Sequence, residues 1–203
     1  GTKGLSCILV EKGTPGFSVG KIEEKMGIHG SETAELIFED CRVPKENLIG
    51  KEGQGFKIAM TALDGARIGV AAQALGIAER AFQESVKYMK ERVQFGKPIA
   101  ALQGLQWYIS DMTVKIECAR WMIFRAAWLK ISGQPYTKEA AIAKLNASET
   151  ATFVTNLALQ IHGGYGYMKD YPLERMYRDA KITEIYEGTS EIHKVVIARA
   201  ALR

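Results

Sequence analysis

From Gln54 onward the chain repeats its apolar residues at α-helical spacing, in stretches much longer than the average helix of a globular protein. Ile58, Leu63, Ile68, Leu75, Ile77, Phe82, Val86 and Met89 predict one helix over Phe56 to about Arg92, stopped by Gly96 and Pro98 of QFGKP. A second is expected from about Leu102 to Ile131, ended by Ser132, Gly133 and Pro135, and a third from about Lys138 to Ile161, before HGGYGY. A shorter helix around Pro172 to Ile182 and a last one from about Ser190 to Leu202 complete the set. Up to Gly50 the character differs: SCILVEK, FSVGKIEEK and AELIFEDCRV carry β-branched and aromatic residues in partial alternation between Gly, Pro and Ser turns. The expected fold is mainly α, an antiparallel helical bundle over 51–203 preceded over 1–50 by the end of a β domain.

Helices of about thirty residues with wide apolar faces usually need another subunit to cover them. Gly65, Gly69 and Gly76 on the first helix would let another backbone approach, either within one subunit or across a contact. The 27 basic residues are interspersed with 23 acidic ones, for a net charge of +4, so the basic stripe of a nucleic-acid binder is missing. Cys7, Cys41 and Cys118 are far apart and form no CxxC pair, which fits a reduced, intracellular setting and leaves bacterial cytoplasm and mitochondrial matrix undecided between them. The apolar run Gly69 to Ala78 is broken by Gln73 and flanked by Arg67 and Glu79, too short to span a bilayer. The opening GTKGLSCILVEKG reads as strand material from inside a domain, which leaves a targeting peptide undecided.

Helical bundles often hold di-metal carboxylate sites, which require Glu three residues before His on facing helices. His29, His162 and His193 have no such Glu, so no metal is expected, and no glycine stretch ends in the Lys-Ser or Lys-Thr of a phosphate loop. Two glycine-rich turns at helix boundaries remain, QIHGGYGYM (160–168) and YEGTSEI (186–192). The second sets one carboxylate, Glu187, on a turn just ahead of a helix. Taken alone, such a glutamate is usually a solvated loop residue, and Gly163 after its helix is usually a simple cap.

Five stretches together, KMGIHGSETAELIFEDCRVPKENLIG, LDGARIG, ERVQFGKPI with LQGLQ, QIHGGYGY and MYRDAKITEIYEGTSEIH, resemble the flavin-dependent acyl-CoA dehydrogenases, in that family's order and from the first residue to the last. The likeness is greatest to the short-chain, butyryl-type members. It implies FAD as cofactor, an acyl-CoA as substrate, an electron-transfer flavoprotein as electron partner, and a homotetramer built as a dimer of dimers. It also implies that Glu187 is the base removing the α-proton of the thioester while a β-hydrogen leaves as hydride. That task needs a positioned, partly desolvated carboxylate and a donor for the developing enolate, which in the family is the backbone amide of this glutamate. Relatives that place the base on the LDGAR helix do so at the position of Ala66, which leaves Glu187 as the family-type candidate here. A nitroalkane-oxidising relative carries Asp at the Glu187 position.

By the same resemblance Asp64, Arg67, Ser31, Gly188 and Arg199 fall at substrate-contacting positions. Arg92, Gln94, Phe95 and Gln103 fall where one subunit offers contacts to its neighbour's flavin ADP, an arginine supplying a fixed cation and a phenylalanine an apolar wall. Gln160, Gly163 and Gly164 match the segment lying along that ADP, and Thr189 and Glu191 fall at a further flavin contact, Glu191 replacing a glutamine common in relatives. Outside the resemblance, Asp64 and Arg67 read as an i, i+3 surface pair and Glu191 as an acid suited to the first turn of a helix. Because the family's N-terminal helical domain has no counterpart in these residues, a non-catalytic CoA-binding or assembly module is the competing reading, and an acyl-CoA oxidase the nearest enzymatic one.

Overall fold

The computed structural model describes residues 1–203, which divide into two compact units, Gly1–Leu63 and Asp64–Arg203. In the first, β1 (Cys7–Ile8) pairs antiparallel with β4 (Leu48–Ile49), and β2 (Phe17–Ile22) pairs antiparallel with β3 (Ala34–Phe38) through Phe17 opposite Phe38 and an irregularity between Val19 and Ile22. The Phe17 and Phe38 rings stack with centroids 5.0 Å apart, the kind of cross-strand aromatic pair that holds a two-stranded ribbon in register. The strand expected over SCILVEK is much shorter than its apolar alternation suggests. Its partner β4 offers only two residues before the chain turns at Gly50, so the ladder ends there.

Helix α1 (Gly55–Glu91) carries the division between the units. In the second unit it is followed by a hairpin of β5 (Val93–Gln94) and β6 (Lys97–Pro98), then α2 (Gln103–Ile131), α3 (Thr137–His162), a 3-10 segment Gly163–Tyr167, α4 (Leu173–Ile182) and α5 (Ser190–Ala201). Each helix boundary falls within about one residue of the sequence expectation, because Gly, Pro and Ser clusters interrupt the helical repeat where helices end. Five residues join α2 to α3, short enough to force them antiparallel. The QFGKP stop is more than a stop: Phe95 (φ 53°) and Gly96 (φ 77°) are both left-handed, as a two-residue hairpin turn requires, and Val93 faces Pro98.

Helix α3 is the centre of this unit, packing on α2, α4, α5 and the 3-10 segment. It is buried on nearly every side through Ala140, Ala141, Ala143, Ala147, Ala151 and Ala158, small residues that let neighbouring backbones come close. Ala71, Ala74, Ala78 and Ala81 of α1 and Ala119 and Ala126 of α2 join the same core, with Met112, Val154 and Leu173 filling its larger spaces. Burying a side chain such as Met112 is worth about 1.5–3 kcal/mol. The Glu79–Arg120 ion pair, 2.6 Å, links α1 to α2.

None of the three glycines on α1 has another backbone against it: a Cβ on Gly65 would meet only the flexible tip of Lys130, 2.9 Å from Nζ, and Gly69 and Gly76 face open space. On α2, Trp107, Val114, Trp121 and Trp128 recur every seven residues and each is more than half exposed, forming one apolar stripe. No helix is long and apolar enough to cross a membrane.

Candidate active site

The turn between α4 and α5 is held from two sides. Its backbone takes positive φ at two consecutive residues, 56° at Glu187 and 105° at Gly188, before Thr189 enters α5 as its N-cap. A left-handed glutamate is uncommon and persists only where its surroundings determine it. Those surroundings are specific. Tyr186 Oη donates to Gln73 Oε1 of α1, and Arg67 Nε of α1 donates to the Glu187 carbonyl at 3.3 Å. From α3, Lys144 Nζ donates to the Gly188 carbonyl at 2.6 Å, and Thr152 Oγ1 donates to Glu184 Oε1 at 2.5 Å. A Cβ on Gly188 would stand 3.3 Å from His193 Nε2 and 3.7 Å from Arg67 Nη2, a tight fit against the imidazole, so it is chiefly the φ of 105° that favours glycine here.

Beneath the turn lie three nitrogen bases removed from solvent: Arg67 is 6 % exposed, and Lys144 and His193 are fully buried. Arg67 also reaches Asp64 Oδ1 at 2.7 Å, and Asp64 Oδ2 accepts from Thr137 Oγ1 at 2.6 Å. The surface-pair reading of Asp64 and Arg67 therefore fails: the helical spacing is as expected, but the guanidinium points into the unit and ties α1 to the turn. Burial, with Arg67 adding, pushes the Lys144 ammonium down to about 8, against the pull of Glu184, Glu187 and Glu191. Burial likewise pushes His193 down to about 4, helped by Lys144 and Arg67 and opposed by the nearby Gly188 backbone, and no hydrogen bond of good geometry reaches either ring nitrogen. Burial also raises the Tyr186 phenol.

Glu187 Oε2 is buried and accepts no hydrogen bond, and the amide N–H of Glu187 donates to no backbone carbonyl. An unpartnered carboxylate oxygen can accept a proton, and an uncommitted amide can donate to a developing oxyanion, so one residue offers both kinds of group. Glu191, in the first turn of α5, has its carboxyl held below the usual range by its own backbone amide and by the Thr189 hydroxyl.

A second cluster forms at the far end of α3. Arg92, Gln94, Phe95, Gln160, Gly163 and Gly164 line one cavity of about 770 Å³, within the usual range for small-molecule sites. Gln103, the first residue of α2, is not on its wall, although Leu102 and Leu105 are. Tyr88 stacks on His162 at 4.2 Å, Tyr171 packs edge-on against both, and the Arg92 guanidinium lies 5.5 Å over the Tyr165 ring. Gly163 and Gly164 present open space where a Cβ would stand, and Phe95 is 86 % exposed. A cation, two bare glycines and aromatic walls fit the diphosphate and adenine of a dinucleotide. Thr189 and Glu191 lie apart from this cavity, at the start of α5.

Arg199 lines a separate cavity of about 680 Å³ with Thr137, Lys138 and Arg203, and Thr137 connects it to Asp64. Ser31 belongs to the first unit, where its amide donates to the Ile28 carbonyl and its own carbonyl accepts from Lys25 Nζ. Sequence reasoning missed Lys144, His193, Thr152 and Gln73 as parts of this site. A lysine amid the small residues of AAIAKLNASETA was the available signal, because a helix lined with alanine all round is a central one.

Residues 53–202 match the family model described as acyl-CoA dehydrogenase, C-terminal domain. Across all 203 residues the chain is 75% identical to the acryloyl-CoA reductase (NADH) of Anaerotignum propionicum and 61% identical to the short-chain specific acyl-CoA dehydrogenase of Clostridium acetobutylicum, covering 52% and 54% of them. Among solved structures, the butyryl-CoA dehydrogenase of Megasphaera elsdenii superposes with TM-score 0.99 at 55% identity, over 100% of this chain and 53% of that one. A structure from work on the electron transferring flavoprotein of Acidaminococcus fermentans and flavin-based electron bifurcation also gives 0.99, at 61% identity and with 53% of it covered. The chain thus spans about half the length of the relatives it matches. By the match of its helical region to that family model and the identity of the whole chain to those relatives, this chain belongs to the acyl-CoA dehydrogenase family.

Proposed function

We propose that the protein carrying this chain catalyses α,β-dehydrogenation of a short-chain acyl-CoA to the trans-2-enoyl-CoA, with Glu187 as base. The observation that carries this reading is the Glu187 turn itself. Its carboxylate has a buried oxygen without a partner, on a backbone pinned by Arg67 and Lys144, and its amide has no internal acceptor. Oε2 takes the α-proton, and the free amide donates to the thioester oxygen as charge develops there. Partial burial keeps water from competing for the carboxylate. FAD, when bound, supplies the acceptor for the β-hydride. Arg92, Gln94, Phe95, Gln160, Gly163 and Gly164 would hold its ADP portion, with Gln103, Thr189 and Glu191 as further contacts. Within the second unit, Asp64, Arg67, Gly188 and Arg199 would serve the acyl-CoA.

An electron-transfer flavoprotein is the proposed electron partner, in keeping with the structural likeness to a chain from work on such a protein. The exposed tryptophan stripe of α2 supports burial against other subunits in a homotetramer. The 75% relative, an acryloyl-CoA reductase (NADH), favours a second reading in which the same step runs backwards and Glu187, protonated, returns the α-proton. Microscopic reversibility gives both directions one set of residues, so the electron supply decides between them.

The test is Glu187→Gln in the full-length protein under anaerobic conditions. The variant is expected to retain flavin and to bind acyl-CoA, but to lose bleaching of the flavin by substrate. Near-normal bleaching would falsify the assignment. Comparing butyryl-CoA oxidation with NADH-dependent acryloyl-CoA reduction in the unsubstituted protein separates the two directions.

A further inference from the structure

Lys144 is the most unusual charged group in the chain. It sits in the middle of α3 with no exposed surface, and its hydrogen bond runs to a neutral carbonyl rather than to a carboxylate. Taking an ammonium out of water costs several kcal/mol unless something compensates, and a lone peptide oxygen compensates only in part. A methionine or leucine among these alanines would avoid that cost. The place it occupies suggests what it does: Nζ lies 2.6 Å from the Gly188 oxygen, one peptide beyond the carbonyl that Arg67 holds. Two buried cations on two helices thus grip consecutive carbonyls of a segment whose two residues are both left-handed.

Resting on the proposed role of Glu187, we infer that Lys144 is a positioning residue for the base, its ammonium clamping the Gly188 carbonyl so that the Glu187 carboxylate and amide stay in register with the substrate. The physical logic is that a charge-assisted hydrogen bond is about twice as strong as a neutral one and holds one peptide plane. Misplacing a reacting group by an ångström costs about a hundredfold in rate. The groups facing Lys144 are Arg67 from α1, Glu184 and Glu187 from the turn, and Glu191 and His193 from α5. The acids favour its charged form, whereas burial and Arg67 oppose it, so the ammonium loses its proton near the alkaline edge of the physiological range.

The experiment uses the full-length protein with its flavin and follows anaerobic bleaching by butyryl-CoA from pH 6 to 10 in four forms: unsubstituted, Lys144→Met, Lys144→Gln and Glu187→Gln. In the unsubstituted protein the rate is expected to fall as pH rises through about 8. Lys144→Met is expected to keep the flavin spectrum and substrate affinity, to bleach roughly ten- to a hundredfold more slowly, and to lose that alkaline limb. Lys144→Gln, which keeps a donor but no charge, should fall between and also lack the limb. A Lys144→Met protein with the original rate and limb overturns the inference. So does loss of flavin or fold in both Lys144 variants, which would make the residue structural only. Normal bleaching by Glu187→Gln would instead overturn the base assignment, whatever the Lys144 variants do.

Discussion

His193 should set the acid limit of the helical unit. It is fully buried, packs against Gly188, and faces two cations, Arg67 and Lys144, so its neutral form is strongly preferred once folded. In the unfolded chain the imidazole takes its proton near its ordinary value of 6.5, and in the folded chain only near 4. The sign follows from proton counting: between these values the unfolded state binds more protons, so stability rises with pH across the window. Above pH 6.5 both states are neutral and nothing is lost, whereas below 4 both are protonated and the full penalty applies. At about 1.4 kcal/mol per pH unit, that penalty is on the order of 3 kcal/mol. With a urea slope of about 1–3 kcal/mol per molar, the midpoint should drop by about 1–3 M between pH 7 and pH 4 from this residue alone. Carboxylates add their own acid loss, so the decisive quantity is the difference between the chain and its His193→Gln variant. Urea titrations followed by circular dichroism at pH 4, 5, 6 and 7 should show the two curves converging as pH falls. If they run parallel, the argument that burial keeps His193 neutral is wrong.

Two further substitutions probe the packing and the turn. Met112→Ala removes a fully buried side chain from the α2 face of the core and should cost about 2–5 kcal/mol in a denaturant titration; a cost under about 1 kcal/mol would mean that the core collapses around the gap. Gly188→Ala puts a Cβ at φ 105° within 3.3 Å of His193, and should destabilise by about 1–3 kcal/mol and slow flavin bleaching, whereas an unchanged rate would show that the turn tolerates displacement.

The helical half was legible in the sequence because its signals are local. Apolar spacing at the helical period and Gly-Pro-Ser stops depend on neighbours along the chain, and they located all five helices. The strands were less so: SCILVEK alternates like a strand, but a ladder needs a partner, and only Leu48–Ile49 supplies one. The QFGKP stop reads as punctuation, yet its hairpin puts Phe95 on the rim of the cavity with Arg92 and Gln160, a neighbourhood no local rule contains.

On the site, the sequence alone determined that Glu187 stands on a glycine turn before a helix, and that no carboxylate replaces it at Ala66. Spacing and residue type are properties of the chain itself. Only the tertiary structure decided what lies under that turn. Arg67, which spacing alone pairs with Asp64 on the surface and the family resemblance assigns to substrate, is turned inward to the Glu187 carbonyl, and Lys144 is buried against Gly188. The reason is geometric: α3 is covered on nearly all sides, so even its polar positions face other helices, and which of them meets the turn depends on how α4 and α5 pack against it.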